Sequence, residues 1–449
     1  MSSLLACHDC GTIQRPPAPF SRGRLDCCRC GRVLEDTKGR SLDTGLACAI
    51  TTLLLLIPAN LLPGMTVHIA GLATTTRLGS GLITAWHQGW PLLTIVLALQ
   101  AVVLPLVRLA LLSVTLTAVR FGIRQRWVGI AYRYCQVLDS WAMADVLLIG
   151  AGIGFGRIDS QIPVGIDAGG WCFVGAAVMT MLTRATLEPR EVWRRLGPDD
   201  APPPADLTCA YCDLILRDCP EDARCPRCSA RVHRRRPNSI TQTTALLLAT
   251  AVLTPVAYGL PMSELWKAGT PNPHTIGDGI MLLFQSGFWY FGILIFMLSV
   301  AFPLTKIVAL SWFIVSIWRG SARHLRSKTR LYRFIDEAGR WSMIDPFTVF
   351  TFAPMLQIGQ LAHINIRAGS LAFLSTVMLS MLAARTFDPR LMWDMAEADA
   401  RGSNQVKPGP VKPEQHQADR AAVPDTPVHG TMKRYHRAGQ RPNWMPSFR

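Results

Sequence analysis

The sequence predicts an all-α polytopic membrane protein made of two tandem repeats, each a cysteine-rich segment followed by a four-helix transmembrane bundle. Three observations predict this fold class. The 449-residue chain is 49% hydrophobic and only 17% charged, and its mean hydropathy is +0.23. Its apolar stretches are about 20 residues long, which matches the ~30 Å hydrocarbon core of a bilayer at 1.5 Å per helical residue. Most of its short motifs also occur twice, about 200 residues apart.

The repeated motifs keep the same order in both halves. They pair Gly81–Trp90 with Gly279–Phe288, Tyr132-Arg133-Tyr134 with Tyr332-Arg333-Phe334, Trp141-Ala142-Met143-Ala144-Asp145 with Trp341-Ser342-Met343-Ile344-Asp345, and Leu187-Glu188-Pro189-Arg190 with Phe387-Asp388-Pro389-Arg390. Many matches in one order indicate a duplicated unit.

The duplication sets the predicted domain boundaries and spans. The predicted domains are a first ribbon at 1–40, a first transmembrane unit at 41–198, a second ribbon at 199–236, a second transmembrane unit at 237–396 and a disordered tail at 397–449. The eight predicted spans are 44–62, 91–118, 141–158, 169–186, 241–260, 288–317, 342–361 and 367–384. The tail is predicted to be disordered because it is polar and has no hydrophobic periodicity.

The distribution of the net charge of +16 indicates membrane topology rather than nucleic-acid binding. Segments 119–135 and 319–335 carry four and six Lys or Arg residues, whereas segments 64–89 and 261–287 carry one each. Positive loops face the cytoplasm. The pattern therefore predicts a multi-pass protein with both ribbons and both termini in the cytoplasm, and no nucleic-acid partner.

Eight of the 13 cysteines form two sets of paired CxxC motifs. The sets are Cys7, Cys10, Cys27 and Cys30, spaced C-x2-C-x16-C-x2-C, and Cys209, Cys212, Cys225 and Cys228, spaced C-x2-C-x12-C-x2-C. Two CxxC turns complete a closed tetrahedral site of four thiolates. In a reducing cytoplasm such sets favour metal over disulfides. We expect two zinc ions per chain, with iron the less favoured metal, and a structural role for both sites; regulatory metal binding is the alternative.

Charged residues also lie inside predicted spans. Arg108 and Lys306 occupy matching places in spans 2 and 6, and Asp145 and Asp345 lie near the inner ends of spans 3 and 7. Each base therefore shares a depth with the acid on the next span, which predicts the pairs Arg108–Asp145 and Lys306–Asp345. A charge in the bilayer centre costs at least ~2.5–3.5 kcal/mol, so such residues pair or line a polar cavity. Ser342 adds a hydroxyl one turn from Asp345. This polar network is either a staple between helices or a proton or substrate relay.

No catalytic motif accompanies these features. The sequence has no GxSxG, no HExxH and no phosphate-binding glycine loop. The glycines between 150 and 156 lie in an apolar segment, where small residues help helices to pack. We therefore expect a protein that is not an enzyme.

Taken together, these motifs resemble the paraquat-inducible protein A family over residues 5–395. The resemblance rests on the double CxxC ribbon, Pro58-Ala59-Asn60-Leu61-Leu62-Pro63, Trp341-Ser342-Met343-Ile344-Asp345 and the repeated Pro-Arg end. It implies a bacterial inner-membrane subunit that works with a periplasmic mammalian-cell-entry (MCE) domain protein, moves lipids between the inner and outer membranes, and contributes to envelope integrity.

The resemblance also implies zinc ribbons in the cytoplasm and a polar network of Lys306, Ser342 and Asp345, joined by Arg108 and Asp145. The chain departs from the family pattern in two places. Ala142 replaces the serine expected in the first half, and the second ribbon lacks the glycines that follow the knuckles of the first.

Two other functions fit the same residues. One is a metal- or redox-sensing membrane protein whose reactive thiol is Cys28 or Cys219. The other is a membrane-anchored, rubredoxin-like electron carrier, which would hold iron and be red. No pair of intramembrane histidines offers haem ligation to such a carrier.

Overall fold

The structure is a computed structural model that describes most of the chain between residues 4 and 403. The described ranges are 4–14, 23–36, 41–69, 72–77, 79–159, 164–197, 207–216, 219–220, 222–267, 270–321, 323–344, 346–348 and 362–403. The chain divides into a compact unit, Met1–Ala396, and a second unit, Glu397–Arg449. Of the second unit the structure describes residues 397–403, which are helical although the sequence predicts the tail to begin at 397.

The first repeat begins with two short hairpins and continues into helices. Its strands are β1 (Leu5–Ala6), β2 (Ile13–Gln14), β3 (Arg24–Asp26), β4 (Val33–Asp36), β5 (Met65–Ile69), β6 (Leu72–Thr76) and β7 (Val164–Ile166). Its helices are α1 (Leu42–Leu61), α2 (Ser80–His87), α3 (Pro91–Arg120, with a π turn at Leu99–Val103), α4 (Arg126–Asp139), α5 (Ala144–Asp159), α6 (Ala168–Thr186) and α7 (Pro189–Leu196).

Where it is described, the second repeat follows the order of the first, except that an isolated bridge between Arg224 and Arg231 replaces the second hairpin of the ribbon. Its strands are β8 (Leu207–Thr208), β9 (Ile215–Leu216), β10 (Ser263–Lys267), β11 (Thr270–His274) and β12 (Ala362–Ile366). Its helices are α8 (Ser239–Gly259), α9 (Ile276–Gln285), α10 (Trp289–Trp318, with a π turn at Phe296–Ala301), α11 (Leu325–Ala338), a 3-10 turn (Gly339–Met343), α12 (Ala368–Thr386) and α13 (Arg390–Ser403). The predicted duplication is confirmed.

Proline explains the π turn in each long helix. Pro105 and Pro303 lack an N–H and clash with the carbonyl four residues earlier, which in both helices lies within the π turn. In the second repeat this carbonyl belongs to Ser299, and it accepts a hydrogen bond of 2.7 Å from Tyr258 Oη. The irregular turn therefore leaves its freed carbonyl satisfied, which a buried polar group requires.

The described residues include fewer long apolar helices than the eight predicted spans. Five are long and apolar enough to cross a membrane (α1, α3, α8, α10 and α12), and a sixth results if α6 and α7, which meet at a 62° bend, are counted together. The predicted third span corresponds to α5, which has only 16 residues. The predicted seventh span lies largely outside the described residues. The chain is thus a multi-pass membrane protein by the length and composition of its helices.

The structure corrects the all-α prediction at one end of the transmembrane part of each repeat. A three-stranded antiparallel sheet with the order β6-β5-β7 lies in the first repeat, and one with the order β11-β10-β12 lies in the second. The sequence predicts loops there, because the strands are only three to five residues long and carry no clear alternation. β7 and β12 come from the connection before the last span, so each sheet joins distant parts of its repeat.

The two repeats pack against each other through one shared hydrophobic core. It includes Met143, Val146 and Leu147 from the first repeat and Met343, Ile344 and Phe347 from the second. A Cβ at Gly150 would lie only 3.2 Å from Ile344 O, so the glycine allows a close approach of the two backbones. Trp90 Nε1 also donates a 2.9 Å hydrogen bond to Ile366 O, which links the first repeat to the sheet of the second.

Candidate functional site: two cysteine centres and a charged cavity

The eight predicted ligands form two separate clusters of four buried cysteines. In the first, Cys7 Sγ lies 3.4 Å from Cys30 Sγ and Cys10 Sγ lies 3.6 Å from Cys27 Sγ. In the second, the distances from Cys209 to Cys228 and from Cys212 to Cys225 are both 3.5 Å. A tetrahedral ion with metal–sulfur bonds of ~2.3 Å holds its sulfurs about 3.8 Å apart. Each cluster therefore fits one metal ion, and the chain has two such sites.

The local chain conformation explains how each pair of cysteines meets. Gly11 N donates to Cys7 O and Gly31 N donates to Cys27 O, each at 2.9 Å, which closes a tight turn around the thiols. The two glycines have φ of 73° and 68°. The second ribbon adopts the same left-handed conformation with Asp213 at 55° and Ser229 at 56°, which costs a non-glycine residue roughly 1–2 kcal/mol. The turns at Asp213 and Ser229 therefore have the same shape as those at Gly11 and Gly31, but they are strained.

Crowding of thiols prepares the clusters for metal. Hydrogen bonds from Cys30 and Cys7 lower the pKa of the Cys10 thiol to about 3. In the second cluster, hydrogen bonds from Cys209 and its neighbours hold the pKa of Cys225 far below its usual value. Metal binds the thiolate rather than the thiol; the same contacts raise the pKa of Cys30 and Cys228, so without metal the thiols of each cluster share their protons unequally.

The first ribbon contacts α7 of its own repeat through Arg194 and Glu35, but its cysteine cluster docks on the second repeat. Arg333 of α11 donates to Asp9 Oδ2 at 2.5 Å, to Cys30 O at 3.2 Å and to Cys30 Sγ at 3.0 Å. The side chain of Trp393 is buried against the four cysteines, and the Arg29 guanidinium lies 4.7 Å from its ring centre. The metal centre is therefore held by the Tyr-Arg and Trp motifs of the opposite half.

The second ribbon docks on the first repeat in the same way. Arg133 Nη1 of α4 donates to Cys228 O at 3.1 Å and lies 5.9 Å from the ring centre of Tyr211. A Cβ at Gly129 would lie 2.2 Å from Arg227 O, so only glycine lets the ribbon backbone approach the helix this closely. In both dockings the arginine of the repeated Tyr-Arg motif reaches the carbonyl of the last cysteine of the opposite ribbon.

The two ribbons also contact each other. His8 Nε2 lies 2.5 Å from Asp213 Oδ1, and Arg190 Nη2 lies 3.2 Å from Asp213 Oδ2. Burial raises the pKa of Asp213, but His8 and Arg190 outweigh this and the pKa is lowered. This crossed arrangement was not predicted from the sequence. The sequence feature that points to it is the recurrence of an arginine after a tyrosine, at Arg133 and Arg333.

The charged residues of the first repeat form a four-member network that differs from the predicted pair. Arg108 Nη2 forms its ion pair with Asp139 Oδ1, at 2.5 Å, whereas the sequence predicts Asp145 as its partner. Arg184 bridges the two acids, with Nε 3.0 Å from Asp139 Oδ1 and Nη1 2.5 Å from Asp145 Oδ2. Asp139 takes the place of Asp145 as the partner of Arg108 because α4 folds back along α3 and brings Asp139 to Arg108. Asp139 was missed because it ends α4, outside the predicted spans, and Arg184 was missed because it lies in the last turn of α6, where a basic residue is ordinary.

In the second repeat the predicted residues are only partly described. Lys306 is 2% exposed, and its Nζ donates to Gly339 O at 3.0 Å and to Ser380 Oγ at 3.3 Å. Ser342 is buried, and its Oγ has no hydrogen-bond partner within the described part of the chain. Asp345, the predicted partner of both, lies outside the described residues.

Each network borders a cavity. The larger one, about 580 Å³, has apolar walls and is lined by the charged residues Arg108, Asp139, Asp145, Arg184 and Glu337. The smaller one, about 140 Å³, is lined by Lys306, Asp336, Glu337 and Arg385. Glu337 therefore stands between the two cavities, at the junction of the repeats.

The comparisons with known proteins agree with this architecture. The model of the family described as paraquat-inducible protein A matches residues 42–197 and 240–397, one match for each transmembrane unit. Two relatives from Escherichia coli (strain K12) are the intermembrane transport protein PqiA, 26% identical over 87% of this chain and 95% of its own, and the lipophilic envelope-spanning tunnel protein A, 27% identical over 87% and 91%.

A third relative, a probable intermembrane transport protein of Haemophilus influenzae, is 23% identical over 88% of this chain and 97% of its own. No solved structure matches the chain. The family match covers most of the chain and falls on the two repeats that the structure reveals. The chain therefore belongs to the paraquat-inducible protein A family.

Proposed function

We propose that the chain is a non-enzymatic inner-membrane subunit that moves lipids between the inner and outer membranes together with a periplasmic MCE-domain protein, and so supports envelope integrity. The observation that carries this proposal is the similarity, over 87% of the chain, to relatives named as intermembrane transport and envelope-spanning tunnel proteins. A cavity with apolar walls and charged groups, placed between the repeats, supports the same role.

The proposal is tested by lipid exchange in cells that lack the chain. Isotopically labelled phospholipid made in the inner membrane is followed into the outer membrane, with and without the chain restored. We expect restoration to change the rate of exchange and the permeability of the envelope. An exchange rate that is the same in both strains, at normal chain abundance, contradicts the proposal.

The polar network supplies a sharper variant. We expect Lys306→Ala to abolish exchange while the chain still inserts, because it removes a buried cation that only Gly339 and Ser380 hold within the described residues. The matched control is Lys328→Ala, which removes another buried lysine of the same repeat, bonded to Ser316 and Ser321. If the network is only a staple, both variants lower abundance and leave exchange per chain unchanged.

We further propose the eight-span topology with both ribbons and both termini in the cytoplasm. The basic segments at 119–135 and 319–335 support it, as does the docking of both ribbons on Arg133 and Arg333, which lie within these segments. Tags at residues 200 and 449 should be protected from a protease added to the periplasm. Cleavage of either tag from that side contradicts the topology.

For the metal we propose one zinc ion in each cysteine cluster. Closed, buried sites of four thiolates are typical structural zinc sites. Elemental analysis of gently purified protein should give two zinc ions per chain in a colourless solution. Less than one metal per chain, or a red iron centre, contradicts this assignment.

A further inference from the structure

The larger cavity, at the junction of the two repeats, has the features of a ligand site for an amphiphile. Its volume of about 580 Å³ lies within the 300–1,000 Å³ of typical small-molecule pockets. Leu112, Met181, Leu187 and Trp341 give it apolar walls, next to the charged network. We propose that this cavity binds the headgroup of a zwitterionic, amine-bearing phospholipid, an inference that rests on the proposed lipid transport.

Arg108 offers an unused donor to a phosphate. Its side chain is only 7% exposed, and its Nε is buried without a hydrogen-bond acceptor among the described residues. Arg184 differs, since its Nε, Nη1 and Nη2 all donate to protein oxygens. A buried donor normally has a partner, and guanidinium groups bind phosphate oxygens well. The phosphate of a headgroup therefore fits at Arg108.

The charge of the lining favours a headgroup with an ammonium group. The cavity has three carboxylates, Asp139, Asp145 and Glu337, and two guanidiniums, Arg108 and Arg184. An anionic headgroup would add a second negative charge to this excess, whereas a zwitterion adds none. The adjoining smaller cavity shares Glu337 and brings Lys306 and Arg385 together with Asp336, so the excess of carboxylates belongs to the larger cavity alone.

The depth of the cavity is that of a lipid headgroup. Along α3, Arg108 is about 27 Å from Trp90 at 1.5 Å per residue, which is close to the ~30 Å hydrocarbon thickness. If the aromatic residues at Trp90 mark one interface, then Arg108 lies at the other. The last part of α3 continues beyond this level, and its Leu112 and Leu116 pack in one hydrophobic cluster with Cys209 of the second ribbon.

Lipid retention by the purified full-length protein, with both metal centres loaded, tests the site. The protein is equilibrated with equimolar phosphatidylethanolamine and phosphatidylglycerol of matched chains, and retained lipids are counted by native mass spectrometry. We expect a preference of about fivefold for phosphatidylethanolamine, as for one favourable charge contact. Arg108→Met should lower retention of both lipids about tenfold through loss of a charge-assisted hydrogen bond, and Glu337→Gln should bring the preference close to one.

The control is Arg120→Met, the same change on the same helix at an exposed pair with Asp43; it should retain lipid as the wild type does. Equal retention of the two lipids by the wild type, or a preference for phosphatidylglycerol, overturns the proposal. So does normal retention by folded Arg108→Met. If that variant does not fold, the wild-type and Glu337→Gln preferences decide alone. Exchange in cells without selective retention refutes this site only, whereas selective retention without exchange refutes the proposed function only.

Discussion

Arg333 holds the first metal ribbon on the opposite repeat, so replacing it with leucine should weaken one of the two metal centres. The change removes three contacts, to Asp9, to Cys30 O and to Cys30 Sγ. The Asp9 side chain is 3% exposed, and it keeps only its contact with Arg32 among the ion pairs in the described part of the chain. A hydrogen bond to a charged group contributes about 1.5–3 kcal/mol, and loss of a partner outside the ligand sphere costs about 10–100-fold in metal affinity.

The matched variant in the first repeat is Arg133→Leu. Arg133 makes one bond to a neutral carbonyl and a weak contact with the Tyr211 ring, so its loss should cost about 1 kcal/mol, or roughly fivefold in affinity. The two variants should differ in their loss of metal affinity because Tyr211 occupies the position in the second ribbon that Asp9 occupies in the first.

Metal release to a colorimetric chelator, followed over time, measures both effects. Wild-type protein should release two ions slowly; Arg333→Leu should release one of them about 10–100-fold faster, and Arg133→Leu should release the other about fivefold faster. Arg330→Leu, an exposed change on the same helix as Arg333, is the control and should match the wild type. Equal acceleration of both ions by Arg333→Leu, or none, refutes the crossed docking.

Three further outcomes follow from the ribbons and their anchors. Asp388 accepts bonds from Arg390 N and Nε; burial raises its pKa but Arg390 outweighs this, so the pKa lies below the ordinary 3.8. Asp388→Ala should therefore lower the free energy of unfolding at neutral pH by about 3 kcal/mol, and with it the thermal midpoint, because it breaks a buried pair. The difference from wild type should begin to shrink near pH 3.8 and be lost as the pH falls through the lowered pKa of the folded state. Ser229→Gly should slow metal release from the second ribbon about fivefold, because it relieves about 1 kcal/mol of left-handed strain. The double change Cys7→Ser and Cys10→Ser should halve the zinc content measured by elemental analysis, since the first ribbon loses two of four ligands.

Local features were predictable from the sequence, and long-range ones were not. The cysteine clusters were predicted because a CxxC turn brings its two thiols together whatever the rest of the chain does. The crossed docking depends on where α4 and α11 lie after folding, and no local pattern encodes that. The recurrence of Arg133 and Arg333 indicates that both repeats use the same residue, but it does not indicate which group that residue binds.

In the charged network, too, the local feature was predictable from the sequence and the long-range contact was not. Arg108 was identified because a guanidinium in an apolar helix needs a partner, and hydropathy reveals such a helix. Its partner was predicted wrongly because α4 returns along α3 and carries Asp139 to the site, while the long side chain of Arg184 reaches Asp145. The small sheets were missed for a third reason: strands of three to five residues bury too little apolar surface to impose a pattern on the sequence.

We propose that the chain carries phospholipid as part of an MCE-type system. Mass spectrometry of the protein and the lipids that purify with the full-length chain, extracted gently from the inner membrane of its own cells, tests this most directly. We predict an MCE-domain protein in reproducible proportion to the chain, together with bound phospholipid rich in phosphatidylethanolamine. A folded, zinc-loaded chain that purifies with neither an MCE-domain protein nor phospholipid would contradict the account.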